Sequence, residues 1–161
     1  MIESQYLNAL RKICVRLKDC QNNWVLTGSL GMALQGMDIE IHDIDIQTDQ
    51  YGAYKIESLF SEYAVKAVHY LASERIRSHL GSLEIDGVKV EIMGDIQKLV
   101  DYHVWEEPIK VEKHRQWVTF EGIQVPVLSL EYEYQAYLKL GRREKAERIM
   151  KWLNENRIGR A

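Results

Sequence analysis

Between Gly28 and Ile46 the chain reads GSLGMALQGMDIEIHDIDI. This stretch opens with a Gly-Ser pair and ends with Asp43 and Asp45, which one isoleucine separates. Strict alternation predicts a strand over residues 42–48 with its isoleucines on the buried face. The two aspartates then share the other face, where like charges repel each other and resist desolvation. A stability argument alone disfavours this pair, which indicates a functional reason for it.

A divalent cation provides such a reason. Carboxylates at positions i and i+2 of a strand project in parallel, with Cβ atoms about 6–7 Å apart. Mg²⁺ accepts oxygen ligands in this arrangement and keeps waters and substrate phosphates as its other ligands. A bound ion removes the repulsion between Asp43 and Asp45. The sequence therefore predicts a site for Mg²⁺ (or Mn²⁺) at this strand.

Gly28 and Ser29 stand between a short apolar strand predicted over residues 24–27 and a short helix predicted over roughly residues 30–36. A helix start preceded by Gly-Ser offers backbone N–H groups and a hydroxyl to an anion, and glycine lets a phosphate approach closely. Each piece is weak alone, because Gly-Ser is a common turn and Asp-x-Asp is common at strand ends. Their order is more specific: strand, Gly-Ser, helix and, thirteen residues later, an apolar-flanked Asp-Ile-Asp.

The rest of the chain mixes helical and strand patterns. Helices are predicted over residues 3–20, 51–63 and 129–140, followed after Gly141 by a last helix with Ala146, Ile149, Met150 and Leu153 on its inner face. A strand is predicted near 65–71, and Asp86-Gly87 and Glu121-Gly122 mark the turns of two hairpins. Asp95 is expected to cap a further helix. This order predicts an α/β or α+β fold, a mixed β-sheet flanked by helices with helices closing the chain.

Length and composition fit one domain over residues 1–161, with a core of about 22–128 and a C-terminal helical segment of about 129–157. No apolar run approaches the roughly 18 residues of a membrane span, and the N-terminal stretch has no signal-peptide character. We therefore expect a cytoplasmic protein without a membrane partner. The sequence leaves a homo-oligomer open.

Charge is distributed unevenly along the chain. Residues 28–62 hold seven acidic residues and one basic residue, whereas residues 139–161 hold eight basic and three acidic residues. Such asymmetry can bring a cation to one wall of a cleft and an anionic group to the other. Two solvated helical faces explain the same pattern.

The motif resembles the nucleotidyltransferase superfamily that includes DNA polymerase β, the CCA-adding enzymes and the small aminoglycoside and lincosamide adenylyltransferases. Its signature is a hydrophobic residue, Gly, Gly or Ser, a spacer, and then Asp-hydrophobic-Asp/Glu-hydrophobic. Here residues 26–29, Leu-Thr-Gly-Ser, and residues 43–46, Asp-Ile-Asp-Ile, match it. The similarity covers most of the chain from residue 24 to residue 153.

The resemblance implies a third carboxylate on a later strand, and Glu91 in VKVEIMGD is the best match. Asp86 and Asp95 rank lower, since the first suits a turn and the second a helix cap. Lys89 shares the face of Glu91, as either its ion-pair partner or a phosphate ligand. The tail is similar to a basic cluster of the family, which is matched by Lys139, Arg142 or Arg143, and Lys145; Ala146 stands where the family usually has Asp.

The implied function is transfer of an NMP group from a nucleoside triphosphate, with ATP as the expected donor, to an unidentified acceptor hydroxyl on a small molecule, a protein or an RNA. Asp43, Asp45 and Glu91 would hold the metal and carry the chemistry. Gly28, Ser29 and the tail cations would bind the nucleotide. The alternative is a non-catalytic nucleotide-binding regulatory or antitoxin-like partner. A nucleic-acid module is the weakest interpretation, because the overall balance is acidic.

Overall fold

The computed structural model describes residues 2–157. It consists of a mixed β-sheet with helices packed against it. The helices of this described part are α1 Ser4–Leu17, α2 Gly28–Leu34, α3 Gln50–Leu59, α4 Leu130–Lys139 and α5 Arg143–Arg157. The strands are β1 Trp24–Thr27, β2 Ile44–Thr48, β3 Ala64–Ala72, β4 Ile76–Ile85, β5 Val88–Val100, β6 Val104–Trp105, β7 Arg115–Phe120 and β8 Ile123–Leu128. The predicted class, a mixed sheet flanked by helices, is confirmed.

The strand order is β3-β4-β5-β2-β1-β8-β7, and β6 pairs with the end of β5. Strand β2 runs parallel to β5 and antiparallel to β1, and β1 runs parallel to β8. In this register Thr27 lies beside Asp45, and Asp45 lies beside Glu91. The sheet therefore joins three distant segments at one place on its surface.

The main core covers the opposite face of these central strands. Ile44 and Ile46 of β2 are fully buried, as are Val90 and Ile92 of β5. Helix α1 packs on the same cluster. Alternation along β2 and β5 therefore turns their polar side chains, including Asp45 and Glu91, away from the core.

A second apolar cluster joins the C-terminal helices to α2. Met32 of α2 packs with Leu130 of α4 and with Ile149 and Leu153 of α5. The expected inner face of the last helix is buried at Ala146, Ile149 and Leu153, whereas Met150 is partly exposed. This packing holds the basic tail beside the start of α2.

The prediction that a helix follows Asp95 is wrong. Strand β5 continues to Val100 and pairs with β4 as far as Lys98, and Asp95 has a φ of 52° within it. Ile96 and Lys98 are buried at a spacing of two, which is the strand period. Pairing with β4 therefore outweighs a local pattern that also suits a helix start. Among residues 2–157, no helix is long and apolar enough to cross a membrane.

Candidate active site

Asp45 is the centre of the candidate site. It lies on β2 between Thr27 of β1 and Glu91 of β5, and Asp43 lies just before the strand begins. The pKa of Asp45 is raised to about 7, first because burial disfavours its charged form and then because Glu91 and Asp43 add negative charge. Lys89 and Lys145 oppose this shift. The other two predicted carboxylates are thus close enough to Asp45 to affect its ionisation.

Glu91 is engaged by its neighbour on the same strand. The Lys89 Nζ lies 3.0 Å from Glu91 Oε1, so Lys89 is an ion-pair partner in this structure. Within residues 2–157, no group of three or more His, Cys, Asp or Glu side chains is arranged as a complete metal site. The donors themselves, three partly buried carboxylates, have the chemistry that suits a hard divalent cation.

Gly28 is required by its backbone and by its surroundings. Its φ is 70°, in the left-handed region that side chains disfavour. A Cβ atom at this position would overlap Asp45 Oδ2. The chain can therefore pass this close to the Asp45 carboxylate only with glycine, and Ser29 follows directly.

The first cavity, of about 430 Å³, opens beside this turn. Six predicted residues line it: Gly28, Ser29, Asp43, Asp45, Arg142 and Lys145. Arg148 adds a further cation, and Met32, Met37 and Ile39 give an apolar wall. Acidic and basic residues thus face one space, which is one of the two explanations that the uneven charge distribution left open.

The second cavity, of about 330 Å³, shares Gly28, Asp45, Tyr137 and Arg142 with the first. Glu91 lines this cavity and not the first one. Asp45 therefore stands between two spaces, one lined by Lys145 and Arg148 and the other by the predicted third carboxylate.

Two predicted nucleotide-binding residues lie elsewhere. The Lys139 Nζ is 2.8 Å from Glu106 Oε2, and Lys139 lines neither cavity. Arg143 lines a separate groove with Tyr134 and Glu147. Of the adjacent arginines left open by the sequence, the structure thus brings Arg142 and not Arg143 to the site. Lys145 Nζ lies 5.4 Å from the Tyr137 ring centroid, a cation–π contact at the mouth of the first cavity.

Glu133 of α4 lies at the site and was not predicted from the sequence. It is 4% exposed, and its Oε1 accepts a hydrogen bond from the Thr27 hydroxyl. Burial raises the pKa of Glu133 to about 7, although Thr27 and the backbone N–H of Gly28 act in the opposite direction. The available signal was its spacing from Leu130 and Tyr137, which places a carboxylate on the inner stripe of the helix.

Lys98 is a second residue of the site that was not predicted from the sequence. It is 6% exposed, lines the second cavity and donates a 3.3 Å hydrogen bond to the Tyr132 hydroxyl. Burial lowers the pKa of Lys98, because an ammonium group loses hydration there.

The chain matches the model of the aminoglycoside-2''-adenylyltransferase family over residues 9–152, and it belongs to this family of nucleotidyltransferases. A Thermotoga maritima protein described provisionally as a nucleotidyltransferase is 58% identical, with 97% of each chain covered and a TM-score of 0.86. Membership assigns the chain to the nucleotidyltransferase class of enzymes. No curated protein sequence matches it.

Two further solved structures share the fold at low identity. Lincosamide antibiotic adenylyltransferase LnuA, with lincomycin bound, is 16% identical over 93% of this chain and 97% of its own, with a TM-score of 0.56. ANT(2'')-Ia, in complex with adenylyl-2''-tobramycin, is 11% identical over 96% of this chain and 92% of its own, with a TM-score of 0.59. At these identities the likeness shows a common fold.

Proposed function

We propose that this protein is a metal-dependent nucleotidyltransferase that moves an NMP group from a nucleoside triphosphate, with ATP as the expected donor, to an acceptor hydroxyl. The observation that carries the proposal is the position of Asp45, which is influenced by Asp43 and Glu91 and stands between two cavities. A transfer reaction needs such a boundary, because donor and acceptor must meet at one phosphorus atom.

The nucleotide binds in the first cavity. Gly28 and Ser29 contact the terminal phosphates, and Arg142 and Lys145 neutralise their charge. Arginine suits this role because its planar guanidinium binds phosphate oxygens in pairs. The volume of the first cavity falls within the usual range for small-molecule sites. Its methionine wall is suited to the flat, apolar faces of a base.

Asp43, Asp45 and Glu91 are the residues that would hold Mg²⁺ or Mn²⁺. When bound, such an ion offsets phosphate charge and polarises the reacting oxygens. To bind it, Asp45 must be deprotonated. The acceptor approaches through the second cavity, where Glu91 receives the proton of its hydroxyl. As the acceptor oxygen bonds to the α-phosphorus, the bond to the leaving pyrophosphate breaks, and Arg142 stabilises the developing charge.

Calorimetric titration with Mg²⁺ and a non-hydrolysable ATP analogue tests the nucleotide site. The wild type is expected to bind one analogue per chain, and Asp43→Ala plus Asp45→Ala to bind it at least about tenfold more weakly, because two charged ligands are lost. Lys139→Ala is the control, since Lys139 lies outside both cavities. Absence of binding by the wild type, or equal binding by the double variant, contradicts the proposal.

A further inference from the structure

Glu133 connects helix α4 to the turn that carries Gly28. Its Oε1 accepts from the hydroxyl of Thr27, the last residue of β1. The backbone N–H of Gly28, the first residue of α2, also interacts with the Glu133 carboxylate. One side chain from the C-terminal half thus contacts two successive residues of the turn.

The second carboxylate oxygen of Glu133 has no partner in the described part of the chain. Its Oε2 is buried without a hydrogen-bond partner, and Glu133 lines the second cavity. Buried polar atoms that serve only the fold are almost always hydrogen-bonded. A well-packed apolar residue would avoid this penalty, because burying an incompletely paired carboxylate disfavours the folded state. Stability therefore does not explain a glutamate at this position.

We infer that Glu133 is a positioning residue for nucleotidyl transfer, which holds the Thr27–Gly28 turn in the shape that presents Ser29 to the nucleotide phosphates. This inference rests on the proposed function. Glu133 does not line the first cavity, so it acts through the turn and not by touching the phosphates.

The geometry of the turn explains why it needs such a support. Gly28 has a φ of 70° and lies against the Asp45 carboxylate with no room for a Cβ. Thr27 gives α2 no side-chain cap, and its hydroxyl donates to Glu133. Without the Glu133 carboxylate, the Thr27 hydroxyl loses its acceptor and the Gly28 N–H loses a negatively charged neighbour, so the glycine can take other conformations.

Three variants separate positioning from general stability. Glu133→Gln retains an oxygen that can accept from Thr27, whereas Glu133→Leu removes it. Gln135→Leu makes a comparable exchange on the exposed side of the same helix. With Mg²⁺ and a non-hydrolysable ATP analogue, we expect Glu133→Leu to bind about tenfold more weakly, and the other two within about threefold of wild type. Thermal unfolding shows in parallel that each variant is folded.

Hydrogen exchange of the amides of residues 27–30 gives a readout that needs no nucleotide. Exchange is expected to become faster in Glu133→Leu and to stay unchanged in Gln135→Leu. If Glu133→Leu does not fold, Thr27→Val removes the same hydrogen bond from the other side, with Thr27→Ser as its conservative partner. Thr27→Val is then expected to weaken binding severalfold, and Thr27→Ser to restore it.

The outcomes distinguish this inference from the proposed function. Wild-type binding together with equal binding and exchange in Glu133→Leu, or in Thr27→Val, overturns the positioning role and leaves the proposed function intact. Absence of analogue binding by the wild type overturns both.

Discussion

Asp45 of β2 and Glu91 of β5 are direct neighbours in two parallel strands. Neighbouring strands lie about 4.8 Å apart, and paired residues of parallel strands point to the same face. Sheet pairing thus brings together two carboxylates that are far apart in the sequence. Burial raises the pKa of Asp45 to about 7, and the negative charges of Glu91 and Asp43 add to this shift. The charged form of Asp45 is therefore disfavoured.

Replacing Asp45 with asparagine is expected to stabilise the metal-free protein while abolishing nucleotidyl transfer. A raised pKa in the folded state means that stability is lost as pH rises from about 4 to about 7, because the folded protein must then release a proton that it favours. At pH 8 with EDTA, Asp45→Asn should therefore unfold with a free energy on the order of 1–3 kcal/mol above wild type. Chemical denaturation measures this difference.

The gain should shrink at pH 4, where the wild-type carboxyl is protonated. Asp101→Asn, an exchange at an exposed turn, is the control and should leave stability unchanged. An Asp45→Asn variant that is less stable than wild type at pH 8 would contradict the electrostatic account.

Gly28→Ala is expected to weaken nucleotide binding more than the same substitution at another glycine with a positive φ. Gly122 also has a positive φ, 80°, but a Cβ there meets nothing within 4 Å. Gly122→Ala therefore reports the backbone penalty alone, about 1 kcal/mol. Gly28→Ala adds the overlap with Asp45, so binding of Mg²⁺ with the ATP analogue should fall at least about tenfold. Similar effects of both variants on binding would contradict the close approach of Gly28 to Asp45.

Arg142 and Arg143 form a matched pair, because they are adjacent in sequence but line different spaces. Loss of a charge-assisted contact to phosphate corresponds to about 1.5–3 kcal/mol, so Arg142→Ala should weaken nucleotide binding about tenfold or more. Arg143→Ala should change it less than about twofold. Calorimetry at two salt concentrations measures the nucleotide affinity of both variants. A larger effect of Arg143→Ala than of Arg142→Ala would show that Arg143, and not Arg142, contacts the nucleotide.

Glu133→Gln should change how stability depends on pH. Burial raises the pKa of Glu133 from 4.5 to about 7, so wild-type stability falls as pH rises through this window. Glutamine does not titrate. The free energy of unfolding of the variant, relative to that of wild type, should therefore rise by up to about 3 kcal/mol between pH 4 and pH 8. Urea denaturation at several pH values gives this difference. A constant difference across the range would mean that Glu133 titrates as an ordinary exposed carboxyl.

Local sequence patterns predicted an element correctly where one nearby interaction determines its conformation. The strand over residues 24–27, the hairpin turns at 86–87 and 121–122, and a helix that begins near residue 129 are all present as predicted. The turns depend on a glycine, the helix on its Ser129 cap, and the strand on a short apolar run that is buried throughout. The signal at Asp95 failed, since an acidic residue before an amphipathic stretch suits a helix start and a strand equally, and only pairing with β4 decides between them.

The site was predictable in part for the same reason. Asp43, Asp45 and Gly28 lie within one motif, so their meeting is local. Glu133 and Thr27 are 106 residues apart, and no short-range pattern reports their hydrogen bond. Nor does sequence show which of Arg142 and Arg143 faces the cavity, because that depends on how the chain turns at Gly141 between α4 and α5.

Label transfer from α-labelled ATP, CTP, GTP and UTP to a mixture of metabolites and RNA, with Mg²⁺ or Mn²⁺, shows whether the protein catalyses nucleotidyl transfer. The wild type should move the label to an acceptor and release unlabelled pyrophosphate, and Asp45→Asn should transfer none. Transfer that persists at the wild-type rate in a folded Asp45→Asn protein would contradict the account.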